Sequence, residues 1–400
     1  AYEMCGRDWS SDVCSSDLYL KMSLNQNVQV LSKKILEKYD LCDYCLGRLF
    51  TKTLNLKSNK LLGKKLNSNK KNRCYICKNI FDNLDYFIKL MLNDSSKYEY
   101  SSFSIGIILK PSIIERDDII RSKFKLQGID GIKTSITQEI TKNFSKKMKK
   151  ILDNRDPDIV FTINFKDDSL ETRTKPIYLY GRYLKNERKL QQKQKSCDNC
   201  SGKGCRTCLF HGISEFNSIE GIVSKFVFQK VGGTITKFSW VGSEDKTSLV
   251  SGSGRPFFIK LFNPNKRFMK KTSFKDNSVE IICLKTIPTL PPLPVEFSST
   301  LECRISSKQS INKNSLKKLL TISTNPVIVY EKSGKRYEKQ ITLFDYKLLN
   351  SHEFSIFLKF DGGLPVKRFV QGDDVSPSIS SILNSKCTSV EFDFLDVVIK

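Results

Sequence analysis

The spacing of the cysteines limits the possible folds of this chain more than any other feature of its sequence. Eight of the 13 cysteines form four C-x-x-C pairs: Cys42/Cys45, Cys74/Cys77, Cys197/Cys200 and Cys205/Cys208. Two intervening residues allow both thiolates of a pair to bind one tetrahedral metal ion. The first residues lack the basic-then-apolar order of a secretion signal, which argues against disulfides. The pairs therefore predict metal binding.

Two structural zinc sites are expected from these pairs. The first two pairs are separated by 28 residues, a loop long enough to bring all four thiolates together. The second quartet lies in CDNCSGKGCRTC, whose glycines permit a tight chain reversal, and His211 could replace one of its thiolates. A redox-active or co-chaperone-like cysteine cluster is the alternative for this quartet. Three isolated cysteines are expected to pack in the core: Cys283, Cys303 and Cys387.

The chain carries a large excess of positive charge. It has 67 lysines and arginines against 42 aspartates and glutamates, a formal net charge of +25. Such an excess favours nucleic acid or an anionic membrane surface as the partner, and a lysine-rich composition without such a role is the alternative. No segment approaches the roughly 20 apolar residues that span a bilayer. We therefore expect a cytoplasmic nucleic-acid-binding protein that does not contact a membrane.

Composition and periodicity predict an α+β protein of three blocks. Residues 1–21, which include GRDWSSDVCSSDL, have no periodicity and resemble translated sequencing adapter, so Met22 is the expected native start. Helical spacing of apolar residues around the first cysteine pairs predicts a helical zinc domain over 22–95. Residues 96–190 alternate strand-like and helical segments. Residues 191–400 follow the linker NERKLQQKQKS and are mostly strand-like, with IVSKFVFQKV among the predicted strands, which indicates a mixed or antiparallel sheet.

The segment GSEDKTSLVSGSGRPFF is the candidate for chemistry. It is not a phosphate loop, because no lysine follows Gly254, and Pro256 continues into a strand where a dinucleotide motif needs a helix. Nor is there a glycine-rich adenosylmethionine loop, so no organic or nucleotide cofactor is expected. What remains is a turn between two strands that carries Glu244 and Asp245. An exposed carboxylate there is suited to act as nucleophile or base, and Glu244 is expected to be a surface turn residue.

This segment resembles the catalytic motif of the archaeal and eukaryotic tRNA pseudouridine-54/55 synthases, G-R-E-D followed by G-x-G-R-P-F. That family has an amino-terminal four-cysteine zinc domain, a THUMP domain and a carboxy-terminal catalytic domain. YGRYLKNERKLQQ and CDNCSGKGCRTC are similar to the stretch joining its last two parts, and GGLPVKRFVQGDDVSPSISSIL is similar to its closing motif. The resemblance covers nearly all of residues 22–400, and it implies a zinc domain at 22–95, a THUMP-like domain at 96–190 and a catalytic domain at 191–400.

The resemblance implies that Asp245 is the nucleophile of a monomeric enzyme that isomerises uridine 54, 55 or both in the TΨC loop of tRNA, without an organic cofactor. Arg255 would hold the aspartate or a phosphate through its planar guanidinium. Lys367 would neutralise negative charge near the site. The substrate-binding positions implied in this way are Ser243, Arg255, Pro365 and Lys367.

Three departures from the family motifs matter. Ser243 replaces the motif arginine, Leu364 and Pro365 replace a Thr-Tyr pair, and the second active-site tyrosine has no clear equivalent near FSSTLECRI. Each lost group would stack on or anchor an extruded base, and Phe297 is a candidate substitute. A non-catalytic zinc-containing tRNA-binding protein or tRNA chaperone is therefore the alternative function. A THUMP-linked thiolation or methylation enzyme is a third.

Overall fold

The computed structural model describes residues 26–67 and 73–400, so the predicted leader and native start lie outside the described residues. The chain forms two compact units, the first ending at Arg173 and the second spanning Thr174–Lys400. Helices and mixed sheets occur in both, which confirms the α+β class. No helix among the described residues is both long and apolar enough to cross a bilayer.

The first unit begins with helices, as the cysteine-flanking periodicity predicts. Its helices are α1 (Gln26–Lys38), α2 (Asp43–Thr51), α3 (Asn59–Leu66), α4 (Leu84–Ser95), α5 (Pro111–Lys123) and α6 (Ile132–Met148). Its strands are β1 (Ser102–Ile108), β2 (Ile151–Leu152), β3 (Ile159–Asn164) and β4 (Ser169–Thr174). They form a sheet of order β2-β1-β3-β4 in which β1 is parallel to β2 and β3.

One hydrophobic core runs through this unit, from Val28 in α1 to Phe165 after β3. A buried ion pair crosses it, because Arg48 of α2 pairs with Asp117 of α5. The other oxygen of Asp117 accepts a hydrogen bond from the Ile132 amide at the start of α6 (3.0 Å). Buried charges require such partners. The expected boundary between residues 95 and 96 therefore falls within a continuous core rather than between two separate ones.

The second unit is built on a large mixed sheet. Its described strands are β5 (Ile177–Lys185), β6 (Thr236–Trp240), β7 (Val250–Leu261), β8 (Thr272–Lys275), β9 (Val279–Ile287), β10 (Phe297–Ser307), β13 (Ile341–Leu348), β14 (Glu353–Asp361) and β16 (Cys387–Ile399). Their order is β13-β14-β10-β16-β7-β5-β9-β8, with β6 paired to β7. A small second sheet contains β11 (Val327–Tyr330), β12 (Arg336–Lys339) and β15 (Val375–Ser376).

The strand IYLYGRYLK differs from its expected place. Its alternating bulky residues predict a strand of the block 96–190, but as β5 it lies in the middle of the large sheet, antiparallel to both β7 and β9. Every second residue of β5 is buried, and these residues share one face of the strand. That face packs into the core of the second unit, which therefore begins near residue 174.

The prediction of a strand at IVSKFVFQKV is wrong. This segment lies in helix α7 (Ile219–Val231), which Ser218 caps by accepting a hydrogen bond from the Gly221 amide. Its β-branched and aromatic residues favour a strand intrinsically, but packing against the sheet overrides that preference. The remaining helices are α8 (Lys313–Lys317), α9 (Val366–Gln371) and α10 (Ile379–Leu383). The segments NSLKKLLTI and SISSILN of the block 191–400 are predicted to be helical, and α8 and α10 overlap them.

Candidate active site

The loop 241–249 joins β6 to β7 and contains both acidic residues of the motif. Its single glycine, Gly242, has a φ of +76°. A Cβ atom there would lie 2.7 Å from Cζ of Phe297 and 2.8 Å from Nη1 of Arg255. Only glycine suits this position, since both the conformation and the close contacts exclude a side chain. The tight turn brings the following residues to the end of the sheet.

Asp245 presents its carboxylate at this end of the sheet with 24% of the side chain exposed. Its Oδ2 atom accepts a hydrogen bond from Nζ of Lys367 (2.5 Å), which lies in helix α9. Its Oδ1 atom accepts from the amide (3.0 Å) and hydroxyl (2.8 Å) of Thr247. Both oxygens are therefore held, while solvent still reaches the group.

These contacts favour the ionised form of the carboxylate. The hydrogen bond from Lys367 lowers the pKa of Asp245 to about 2, with further lowering from Thr247 and against the opposing effect of partial burial. An ionised carboxylate at neutral pH can act as a nucleophile without a separate base. Lys367, whose role near the site is implied only by the closing motif, thus lies beside Asp245. The short helix that carries it is not predicted from the sequence.

Glu244 is not the surface turn residue that was expected. Its side chain is fully buried, and its Oε2 atom accepts a hydrogen bond from the Tyr183 hydroxyl (2.9 Å). Nζ of Lys185 lies 3.4 Å from its Oε1 atom, and Nε of Arg255 lies 3.4 Å from Oε2. Burial raises the pKa of Glu244 above its ordinary range, against the opposing effects of Arg255 and Lys185.

Arg255 has a different set of contacts from those expected. Its guanidinium is buried beneath the loop, where it pairs with Glu244 and donates to the carbonyl of Val241 (3.0 Å). It also lies 4.1 Å from the ring centroid of Phe394, a cation–π contact. A buried guanidinium that is enclosed in this way does not face a phosphate. It supports the loop from below, and its acidic partner is Glu244 rather than Asp245.

The other substrate-binding candidates lie at the rim. Ser243 is exposed beside the two acidic residues, and Pro365 precedes the first residue of α9. Leu364, which stands where the family has threonine, is buried in the core. Phe297 is partly exposed, and its ring touches both Gly242 and Gly362. It therefore lies between the loop that carries Asp245 and the turn that leads to Lys367.

Sequence reasoning missed the residues that support the loop, because NERKLQQKQKS was interpreted only as a linker. Arg188 in this segment donates to the Thr247 carbonyl (2.6 Å) and forms a two-point ion pair with Asp393 (2.7 Å for both bonds). Gln192 donates to the hydroxyl of Tyr183 (3.1 Å) and to the carbonyl of Gly242 (3.4 Å). The sequence of β5 contained one indication of such a residue, because its strict alternation places Lys185 on the buried face of the strand.

The first cysteine quartet comes together as the spacing predicts. Its four sulfurs lie within 4.8 Å of one another, and those of Cys42 and Cys77 are 3.6 Å apart. A tetrahedral zinc–thiolate centre with bonds of about 2.3 Å places its sulfurs roughly 3.8 Å apart. The amide of Cys45 also points to the sulfur of Cys42 (3.5 Å). The four side chains could therefore hold one tetrahedral metal ion.

The second quartet has the same geometry. The sulfurs of Cys197 and Cys205 are 4.0 Å apart, and those of Cys200 and Cys208 are 3.8 Å apart. Amides donate to these sulfurs, including that of Gly212 to Cys208 (3.3 Å), as thiolate ligands require. The alternative ligand His211 lies elsewhere, because its ring stacks on Phe228 at 3.9 Å and its Nδ1 contacts the Thr234 carbonyl.

The isolated cysteines are mainly core residues. Cys303 and Cys387 are buried in the hydrophobic core of the second unit, as predicted. Cys283 lies in β9 and is only partly buried.

Comparisons with known proteins agree with the motifs. A family model described as "Pus10 THUMP domain, archaeal" matches residues 87–164, and one described as "Pus10, C-terminal" matches residues 178–287. The chain is 55% identical to a protein of Nitrosopumilus maritimus (strain SCM1) named "tRNA pseudouridine synthase Pus10", over 95% of this chain and 100% of the relative. A protein of the same name from Cenarchaeum symbiosum (strain A) is 31% identical over 90% of each chain. Since these matches span nearly the whole of both chains, the chain belongs to the Pus10 family.

Proposed function

We propose that this chain is a tRNA pseudouridine synthase that isomerises uridine 54, uridine 55 or both, with Asp245 as the nucleophile. The observation that carries the proposal is the state of that carboxylate, which is ionised, partly exposed and held by Lys367 and Thr247. The Pus10 family membership supplies the reaction class. The position of the uridine rests on the motif resemblance alone.

The reaction is an isomerisation, so no atoms are gained or lost. The bond between C1′ and N1 of the uridine breaks with participation of the aspartate, and the detached base turns within the site. A new bond then forms between C1′ and C5, the proton on C5 is lost, and N1 gains a proton. A single carboxylate can support this sequence without an organic cofactor. Lys367 holds that carboxylate in position.

The rim residues would contact the extruded nucleotide. Ser243 and Pro365 lie on the two segments that carry Asp245 and Lys367, and Lys367 itself is 56% exposed and able to approach a phosphate. We propose that Phe297 provides the aromatic surface that the family tyrosines supply elsewhere. Arg255 would act indirectly, through Glu244 and the loop backbone.

The remaining parts of the proposal concern the metal ions and the assembly. Both cysteine quartets would hold structural zinc, because four thiolates at these separations match its preferred geometry. The first unit, which includes the THUMP region, would bind and orient the tRNA in the cytoplasm. The protein would act as a monomer.

Replacing Asp245 with asparagine tests the proposal. We expect Asp245→Asn to keep the tRNA affinity within about threefold, since the shape is unchanged, and to form no pseudouridine. Position-resolved pseudouridine mapping on an unmodified archaeal-type tRNA transcript measures product, and filter binding measures affinity. The matched control is Asp276→Asn, an exposed aspartate in the turn before β9.

Two results would count against the proposal. Product formation by Asp245→Asn would place the nucleophile elsewhere. A wild-type protein that binds the transcript but never isomerises it would favour the tRNA-binding or chaperone alternative.

A further inference from the structure

A buried lysine lies directly beneath the loop that carries Asp245. Lys185 is the last residue of β5, and its side chain is fully buried. Its Nζ atom lies 3.3 Å from the Asp245 carbonyl, 3.0 Å from the Lys246 carbonyl and 3.4 Å from Oε1 of Glu244. An ammonium group has three N–H donors. All three of these partners belong to consecutive residues of the loop.

Neutralising Glu244 does not by itself account for this lysine. Burial lowers the pKa of Lys185, so its charged form is held there at a cost that its partners must offset. Glu244 already contacts Arg255 and Tyr183 through its other oxygen. Within the described part of the chain, Arg255 donates to the Val241 carbonyl and not to the carbonyls of residues 245 and 246. Donation to those two carbonyls is therefore the specific contribution of Lys185.

The next carbonyl is held by a second cation. Arg188 donates to the carbonyl of Thr247, and its partner Asp393 accepts a hydrogen bond from the Leu249 amide (2.8 Å). Carbonyls of residues 245, 246 and 247 thus all point to cationic side chains of β5 and the segment after it. The Thr247 amide and hydroxyl donate instead to the Asp245 carboxylate. The backbone orientation and the carboxylate orientation are therefore linked.

We propose that Lys185 is a positioning residue for the Asp245 carboxylate, acting through the carbonyls of residues 245 and 246. It does not touch the substrate. It fixes the peptide planes on either side of Lys246, which sets where the carboxylate meets Lys367 and Thr247. This inference rests on the proposed function of Asp245. A misplacement of about 1 Å can lower an enzymatic rate roughly 100-fold.

Four variants test this role in the full-length protein. Lys185→Met keeps the length of the side chain and removes its donors. Glu244→Gln removes the buried negative charge and keeps the lysine. The double variant Lys185→Met/Glu244→Gln removes both. Lys189→Met removes one positive charge from an exposed residue of the same segment and is the matched control.

We expect Lys185→Met to lower kcat about 100-fold at saturating tRNA, with tRNA Kd within about threefold of the wild type. The double variant should regain the melting temperature lost in Lys185→Met, because no uncompensated carboxylate is left buried. It should not regain kcat. Lys189→Met should retain the wild-type kcat.

A double variant that recovers kcat together with the melting temperature would overturn the inference, since Lys185 would then be only an ion-pair partner. Equal kcat values for wild type and Lys185→Met would also overturn it. If Lys185→Met does not fold, the kcat of the folded double variant decides whether Lys185 is a positioning residue. The proposed function fails differently, because the wild type itself would then be inactive on a tRNA that it binds.

Discussion

Glu244 and Asp245 are neighbours in the chain, yet their carboxylates lie in opposite environments. Glu244 is buried among Tyr183, Lys185 and Arg255, and burial raises its pKa. Asp245 reaches solvent, and the Lys367 ammonium lowers its pKa to about 2. Two acids whose environments separate their pKa values in this way take different roles. Here one holds the loop in place and the other is available for chemistry.

The contact between Lys367 and Asp245 gives a prediction about acidity. Without the ammonium, the Asp245 pKa should rise from about 2 toward its ordinary value of ~3.9. The carboxylate would still be ionised at pH 7, so a loss of activity in Lys367→Met at that pH would reflect orientation rather than protonation. A carboxyl group whose pKa is lower in the folded than in the unfolded state stabilises the fold at pH values above its unfolded-state pKa. Lys367→Met should therefore lower the free energy of unfolding above about pH 4. The loss should stay within ~1 kcal/mol for so exposed a pair.

Carboxyl ¹³C NMR titration measures this shift, with the Asp245→Asn spectrum identifying the signal. Lys335→Met, at an exposed turn, is the control and should leave the titration unchanged. An Asp245 pKa that stays near 2 in Lys367→Met would mean that other groups set it.

At the scale of elements, the segment from β5 to α7 connects the second cysteine quartet to the candidate active site. Its first part contains Arg188 and Gln192, which hold the loop backbone. Carbonyls of residues 191 and 192 accept hydrogen bonds from the first amides of α7 (3.0 Å each). The second cysteine quartet lies in the chain between these two anchored ends. A zinc ion there would fix the path of the segment without touching the substrate.

Zinc content gives the prediction at this scale. Wild-type protein should contain two zinc ions per chain, and Cys200→Ser should contain one, because three thiolates bind zinc more weakly than four. The melting temperature of Cys200→Ser should fall as well. Elemental analysis of purified protein measures the metal. Cys283→Ser is the control, since that cysteine belongs to neither quartet, and equal zinc in wild type and Cys200→Ser would exclude a zinc site at this quartet.

The success of prediction differed between kinds of element. Strand-like patterns identified half of the described strands, and the C-x-x-C spacing identified both quartets, because these patterns are local. Helix α7 was mistaken for a strand because its β-branched and aromatic residues favour a strand, although Ile219, Ile222, Val223, Phe226 and Val227 follow the helical spacing i, i+3, i+4, i+7, i+8. Helix α9 has only six residues, too few to show a period. Glu244, Lys185 and Arg188 depend on contacts between distant segments, which no single stretch of sequence reveals.

At the scale of the whole molecule, the main feature is the formal net charge of +25. The Pus10 family membership connects this charge to a polyanionic substrate. Lysine and arginine side chains that neutralise phosphates release counterions, so affinity falls as salt rises. Part of this charge lies at the end of α6, where Lys146 and Lys147 follow one another on a half-buried helix.

We expect tRNA affinity to fall at least tenfold between 50 mM and 200 mM monovalent salt, which is the decrease that a few phosphate contacts would produce. The value of kcat at saturating tRNA should change by less than about twofold, because the contacts around Asp245 are within the protein. Titration by fluorescence anisotropy at several salt concentrations measures the first, and single-turnover kinetics the second. An affinity that is independent of salt would contradict an electrostatic role for the excess charge.

The ring of Phe297 lies in contact with two glycines that are 120 positions apart in the chain. A Cβ atom on Gly242 or Gly362 would come within 2.7 Å or 2.4 Å of this ring. The ring therefore acts as a spacer between the loop that carries Asp245 and the turn that leads to Lys367. A side chain at either position would collide with the ring, so glycine at both positions allows the loop and the turn to pack directly against the same aromatic side chain.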